Sequence, residues 1–159
     1  GETPGVVGVG EHRFYVKAGR RRLSTRLLSG HFPDYQAVIP QHNEHKLRLR
    51  CALVAPAIRR VALMAEERSR AITWALDEGQ LQLIAHDQQG GEANDALVVE
   101  YAGAPVSIGF NVHYLSDFFQ AVEEEEVTFA FKDARCQALL TVDLGAQDRF
   151  AEVIMPMLV

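Results

Sequence analysis

Two spacings of apolar residues alternate along this chain from about residue 46 onward. In 46–50, KLRLR, every second position is apolar, which predicts a strand. In 55–67, APAIRRVALMAEE, the apolar positions recur at intervals of three and four. That predicts a helix with Pro56 in its first turn and Ile58, Val61, Ala62 and Ala65 on its inward face. Three strand patterns follow, AITWALD (71–77), QLQLIAH (80–86) and DALVVEY (95–101), the first two joined as a hairpin across Glu78 and Gly79. The same order then begins again. PVSIGF (105–110) reads as a strand, and NVHYLSDFFQAV (111–122) as a helix capped by Asn111 with Val112, Leu115, Phe119 and Val122 on one face. VTFAF (127–131), QALLTVD (137–143) and RFAEVIMPM (149–157) are the closing strands.

Strand, helix and three strands therefore occur twice, in units of roughly 55 residues. The duplication predicts an α+β fold with an internal two-fold, its two helices side by side on antiparallel sheet. Residues 5–28 carry three further strand patterns and no helix, so this segment reads as the end of a preceding domain of the same kind. Residues 29–45, with two prolines and a glycine, read as the linker, and the domain boundary is placed at 40/41. The chain starts on Gly rather than Met, and the expectation is a piece of a longer protein.

The last eight residues, EVIMPMLV (152–159), are apolar far beyond what a fraying terminus needs. Such a tail is either packed or binds something. Alternation sends about half of 149–157 to the core. Met155, Met157, Leu158 and Val159 remain, and flexible methionines suit a groove that accepts several peptides.

Composition changes this picture only at its edges. The chain has 159 residues, 48% hydrophobic and 23% charged, as an ordinary globular protein does. No apolar run of about 18 residues and no export signal pattern is present, and a cytoplasmic location is expected. The net charge of −5 is uneven: residues 1–40 carry six Lys or Arg against three Asp or Glu, and residues 41–159 carry ten against eighteen. An acidic majority excludes a protein that grips nucleic acid over its whole surface, so DNA contact would be local. Arg20, Arg21, Arg22 and Arg26 form a basic run, but strand alternation splits it between two faces and it reads as solubility. HNEH (42–45) lacks a further ligand cluster, and no metal or other cofactor is expected. The acidic run 123–126 reads as a solvated turn. Cys51 and Cys136 read as buried thiols, and no partnered base makes either a hydrolase nucleophile.

FPDY followed by VIP in the linker, IGFN leading into the second helix, and the terminal VIMPM stand in one order and register with the repeat. On these residues the sequence resembles the bacterial DNA polymerase III beta sliding clamps along essentially its whole length. The resemblance implies the DNA clamp fold, with residues 1–40 as the last strands of a middle domain plus linker and 41–159 as the third domain. It implies a head-to-tail homodimer ring around duplex DNA, without catalysis, that docks the polymerase III alpha subunit and the clamp-loader delta subunit through short linear motifs.

It also implies roles for particular residues. A peptide groove would be walled by Val153, Ile154, Met155, Pro156, Met157, Leu158 and Val159, with Pro33 and Val38 from the linker and Ser69 and Leu139 nearby. Ala37 and Leu158 stand where such clamps often carry Arg, so this groove is expected to be more apolar. The ring would close through the apolar pair Leu63 and Met64, which the helical wheel places outside the inward face, and through the acids Glu92 and Asp95. Gln89 and Gly91 replace further acids there. Arg59 and Arg60 would face the DNA and touch phosphate without reading sequence. The alternative is a stand-alone peptide-interaction domain without ring function.

Overall fold

The computed structural model describes residues 5–145 and 149–158. The chain forms two compact units that divide between Asp34 and Tyr35, within the 29–45 segment read as the linker.

The N-terminal unit is one antiparallel sheet of β1 (Gly5–Val9), β2 (Arg13–Ala18) and β3 (Arg21–Arg26), in that order. Register sorts its side chains. Val7 lies opposite Val16, Val9 opposite Phe14 and Val16 opposite Leu23, so one face is apolar. The other face carries Arg13, Tyr15, Lys17, Arg22, Ser24 and Arg26.

The C-terminal unit begins with a short 3-10 turn, Tyr35–Val38. Its strands and helices are β4 (His45–Arg50), α1 (Cys51–Ala62), β5 (Ala71–Asp77), β6 (Gln80–His86), β7 (Glu92–Val98), β8 (Val106–Asn111), α2 (Val112–Ala121), β9 (Glu126–Phe131), β10 (Ala138–Asp143) and β11 (Arg149–Ile154). The duplicated order is as the apolar spacing predicts. What the spacing does not reveal is an exchange: the first strand of each repeat joins the edge of the sheet formed by the three strands of the other. One sheet runs β11-β10-β9-β4 and the other β7-β6-β5-β8.

Helix starts obey the same two-fold. Val112 N–H donates to Arg70 O at 2.8 Å, and Cys51 N–H donates to Glu125 O at 2.8 Å. Asn111 caps α2 by accepting from His113 N–H at 2.9 Å, while α1 starts after Arg50 without a side-chain cap. The core lies between helices and sheets. Trp74 stands edge-on to Phe110 and Phe129, and Phe129 stacks on Phe131. Alternation in β5 and β6 buries Ile72, Trp74, Leu76, Leu81, Leu83 and Ala85, each removed from water at a gain of up to about 3 kcal/mol for the larger side chains.

Three expectations are corrected. Helix α1 starts at Cys51 and stops at Ala62, with Leu63 as its C-cap, so the wheel drawn to residue 67 does not describe Met64. Strand β7 occupies Glu92–Val98 rather than 95–101. Strand β11 ends at Ile154, the partner of Ala138, rather than continuing to residue 157.

Candidate functional site

The C-terminal tail leaves one sheet and reaches the other. After Ile154 the chain turns at Met155 and Pro156, and Met157 N–H donates to Gly109 O at 2.8 Å, an isolated antiparallel bridge onto β8. Glycine inside β8 is what a close backbone approach calls for, and that is the signal in IGFN that could have located the tail. Within two residues of Gly109 along β8, Asn111 Nδ2 donates to Ser69 O at 3.4 Å. The Ser69 hydroxyl is engaged too: it donates to Glu66 Oε2 at 2.9 Å and accepts from Ala71 N–H at 3.3 Å. Arg70, with φ of 51°, makes the left-handed turn that brings this segment onto the start of α2.

The residues expected to wall a groove separate into three groups. Ile154, at 3% exposed, is core and lines no open surface, because its register with Ala138 turns it toward the helices. Val153 and Leu139 face each other across β10 and β11 and are half-buried on the opposite, outer side of that sheet. Met155 is 62% exposed and Leu158 94%, while Pro156 and Met157 are half-buried. Val38 is exposed in the 3-10 turn, Pro33 is exposed in the N-terminal unit, and Val159 lies outside the described residues. Tyr114, exposed on the first turn of α2 after the Asn111 cap, is a large apolar surface near this junction that the wheel passes over.

The expected ring-closing residues divide in a similar way. Leu63 is 85% exposed. Met64 turns inward, half-buried against the core, with its Cε where a Cβ at Gly91 would come to 2.5 Å. The exposed apolar pair is thus a single leucine, because the helix ends before Met64. A hollow of about 390 Å³ beneath Leu63 is bordered by Met64, Glu66, Asp87 and Gln88. Gln88 Nε2 donates to Glu66 Oε1, tying the helix end to the turn between β6 and β7. That amide and the Ser69 hydroxyl hold the Glu66 carboxyl below the ordinary carboxylate range.

Glu92 and Asp95 stand on opposite faces of β7. Asp95 lies opposite Leu83 on the helix side, and Glu92 lies opposite His86 on the outer side. Arg60 reaches down from α1 to Asp95, so these two expected site residues partner each other. Arg59 is exposed beside Ser116 and Gln120 of α2, and among the described residues no carboxylate pairs with it. Helix α2 contributes no Lys or Arg to that face. Glu152 lies on the helix side of β11, opposite Leu140, where burial first and the charge of Asp117 second raise its carboxyl above the ordinary range.

Neither cysteine is an activated nucleophile. Both are free. Burial raises the Cys51 thiol, and Asp133 raises Cys136 by accepting from its Sγ at 3.4 Å. HNEH is structural: Asn43 Nδ2 donates to the carbonyls of Ala130 and Gln137, and His45 stacks on Phe131.

This architecture has known relatives. The family model for the DNA polymerase III beta subunit, C-terminal domain, matches residues 36–158. The chain belongs to that family. Beta sliding clamps are its full-chain relatives: that of Escherichia coli is 31% identical over 157 residues, covering 99% of this chain and 42% of the relative. That of Pseudomonas aeruginosa is 33% identical over 158 residues, covering 98% and 42%. The chain therefore spans about two fifths of the length of the curated relatives it matches. Among solved structures, the C. crescentus beta sliding clamp superposes with a TM-score of 0.86 at 32% identity, covering 96% of this chain and 41% of that one. A Pseudomonas aeruginosa sliding clamp bound to griselimycin gives 0.84 at 30% identity, covering 96% and 41%. At that similarity the fold is the sliding clamp fold, two helices on antiparallel sheets. No helix among the described residues is long and apolar enough to cross a membrane.

Proposed function

We propose that this chain is the C-terminal portion of a DNA sliding clamp, a processivity factor without catalysis of its own. Residues 1–40 would close the middle domain, and 41–159 would form the third. In a full-length head-to-tail homodimer the paired helices would face encircled duplex DNA. The sheets would face outward, where short linear motifs of the polymerase III alpha subunit and the clamp-loader delta subunit dock.

The observation that carries this reading is the tail. A C-terminus that bridges from β11 to Gly109 is held in place by its backbone, yet it leaves Met155 and Leu158 open to water. Backbone anchoring with exposed, flexible apolar side chains is the arrangement of a peptide-binding wall. Val153 and Leu139 extend the apolar surface along β10 and β11. Burying two or three such side chains at about 1.5–3 kcal/mol each, less ordering costs, corresponds to roughly micromolar affinity.

Ring closure would use the free edge of β7, the outermost strand of its sheet, with Leu63 and Glu92 beside it. The Arg59 side chain is the open cation of the helix face, and a few loose phosphate contacts there suit a ring that slides.

The test titrates a fluorescent peptide carrying a polymerase-type clamp-binding motif against the chain and its Met155→Ala variant. The expected result is roughly micromolar binding that weakens about tenfold in the variant. No binding by the folded chain, or equal binding by both, would overturn the docking role.

A further inference from the structure

The polar face of the N-terminal sheet is more basic than alternation in RRRLSTR alone implies. Register places Arg13 directly opposite Arg26 and Lys17 directly opposite Arg22. Two cross-strand pairs of like charge on one face repel each other, since directly opposed side chains stand only about 5 Å apart. None of β1, β2 or β3 contains an acidic residue. Four positive charges concentrated in this way suit an anionic ligand.

Tyr15 lies between the two pairs, opposite Ser24, with 46% of its surface exposed. Its β1 neighbour in register is Gly8, which offers no side chain to cover the ring. Gly10 borders the ring as well: a Cβ there would stand 3.5 Å from Tyr15 Cε2. Gly10 has no left-handed backbone to explain it, so the missing side chain itself leaves the aromatic flank open. Arg13 Nη1 donates to Ser24 Oγ at 3.3 Å, which holds that guanidinium beside the ring.

We propose that this face binds single-stranded nucleic acid, one base stacking on Tyr15 and the flanking phosphates meeting the Arg13/Arg26 and Lys17/Arg22 pairs. Strand rise sets the two pairs about 13 Å apart, so an extended backbone can run along β2 and cross the ring between them. A duplex keeps its bases stacked inside and would leave Tyr15 unused. An acidic peptide would meet the cations but gain nothing from an open aromatic flank. Stacking platforms within a basic field are the recurrent solution for single strands. The site lies wholly within the N-terminal unit and does not depend on the tail or on ring formation.

Anisotropy of a labelled oligo-dT of about twelve nucleotides, titrated with the whole 159-residue chain across a salt series, tests it. Four phosphate contacts predict a slope of log K against log salt near −3, falling to about half in Arg22→Ser/Arg26→Ser. Tyr15→Leu is expected to weaken binding about tenfold with the slope unchanged. Arg21→Ser, on the opposite face, leaves both quantities as they are. If the double variant loses its circular dichroism signal, Arg13→Gln/Lys17→Gln carries the same expectation. Unchanged affinity and slope in the folded double variant would overturn the proposal. So would tighter binding of a duplex of equal length, or displacement of the strand by oligoglutamate of matched charge at equal concentration. In either result the peptide titration at the tail is unaffected, so the two readings fail separately.

Discussion

Arg60 donates from Nε to Asp95 Oδ2 at 2.7 Å, joining the solvent side of α1 to the helix side of β7. With side chains 60% and 22% exposed, the pair is a surface bridge anchored at its carboxylate end. It engages a cation that the resemblance assigns to DNA and an acid that it assigns to a neighbouring subunit. Asp95→Asn is expected to cost about 0.5–1 kcal/mol in urea denaturation, and the loss should shrink in high salt. A double-mutant cycle with Arg60→Gln checks that the coupling belongs to the pair.

Glu92 faces the other way, so ring closure should distinguish the two acids. In a chain extended to the length of its relatives, Glu92→Lys is expected to weaken self-association by sedimentation, and Asp95→Asn to leave it nearly unchanged. The reverse ranking would show that β7 pairs in another register.

Ile154 and Met155 adjoin in sequence and answer to opposite tests. Ile154→Ala removes a buried side chain and should cost about 2–4 kcal/mol by chemical denaturation. Met155→Ala should fall within about 0.5 kcal/mol of the parent, since the side chain is open to water.

Much of this was legible beforehand, and the failures have physical causes. Strict alternation in AITWALD and QLQLIAH located β5 and β6 to the residue, because one face is buried and the other is not. The expected β7 began three residues late because Glu92 and Asn94 disfavour strands in general, while an edge strand tolerates them. The apolar run ending in Val98 and Val99 then drew the pattern downstream. Met64 was misplaced because helical spacing was carried past the end of α1, where no glycine or proline marks the stop. Within the candidate site, the tail's apolar character was plain. Its bridge to Gly109 was not, because a contact between the ends of two sheets leaves no periodic trace.

That bridge can be removed singly. Met157→Pro deletes the N–H donated to Gly109 and should lower stability by about 0.5–1.5 kcal/mol while freeing the tail. Hydrogen exchange at the neighbouring tail amides should quicken as the segment loosens, and thermal denaturation reports the stability loss.

Glu152 supplies a pH signature. Its carboxyl is raised by burial and by Asp117, so the folded chain holds this proton more tightly than the unfolded one. The resulting stabilisation is complete below the unfolded carboxyl value and is lost as pH rises through the higher folded one. Glu152→Gln should therefore melt above the parent at neutral pH, and the difference should vanish at about pH 4. A constant difference across that range would show that Glu152 ionises as it does in the unfolded chain.

The exchange of first strands between repeats governs the order in which this domain can be made. A ribosome delivers β4 long before its partner β9, since Arg50 lies opposite Glu126, 76 residues later. β5, β6 and β7 in turn wait for β8 to complete their sheet. Neither repeat can mature as it emerges, and the nascent first half holds an open hairpin sheet and an unpartnered helix until the second half arrives. The sheet of β5, β6 and β7 can close once β8 has emerged, and the sheet of β4 only after β9. Two half-chains severed near Gly103 would each be incomplete, and they would reconstitute the domain only by finding each other.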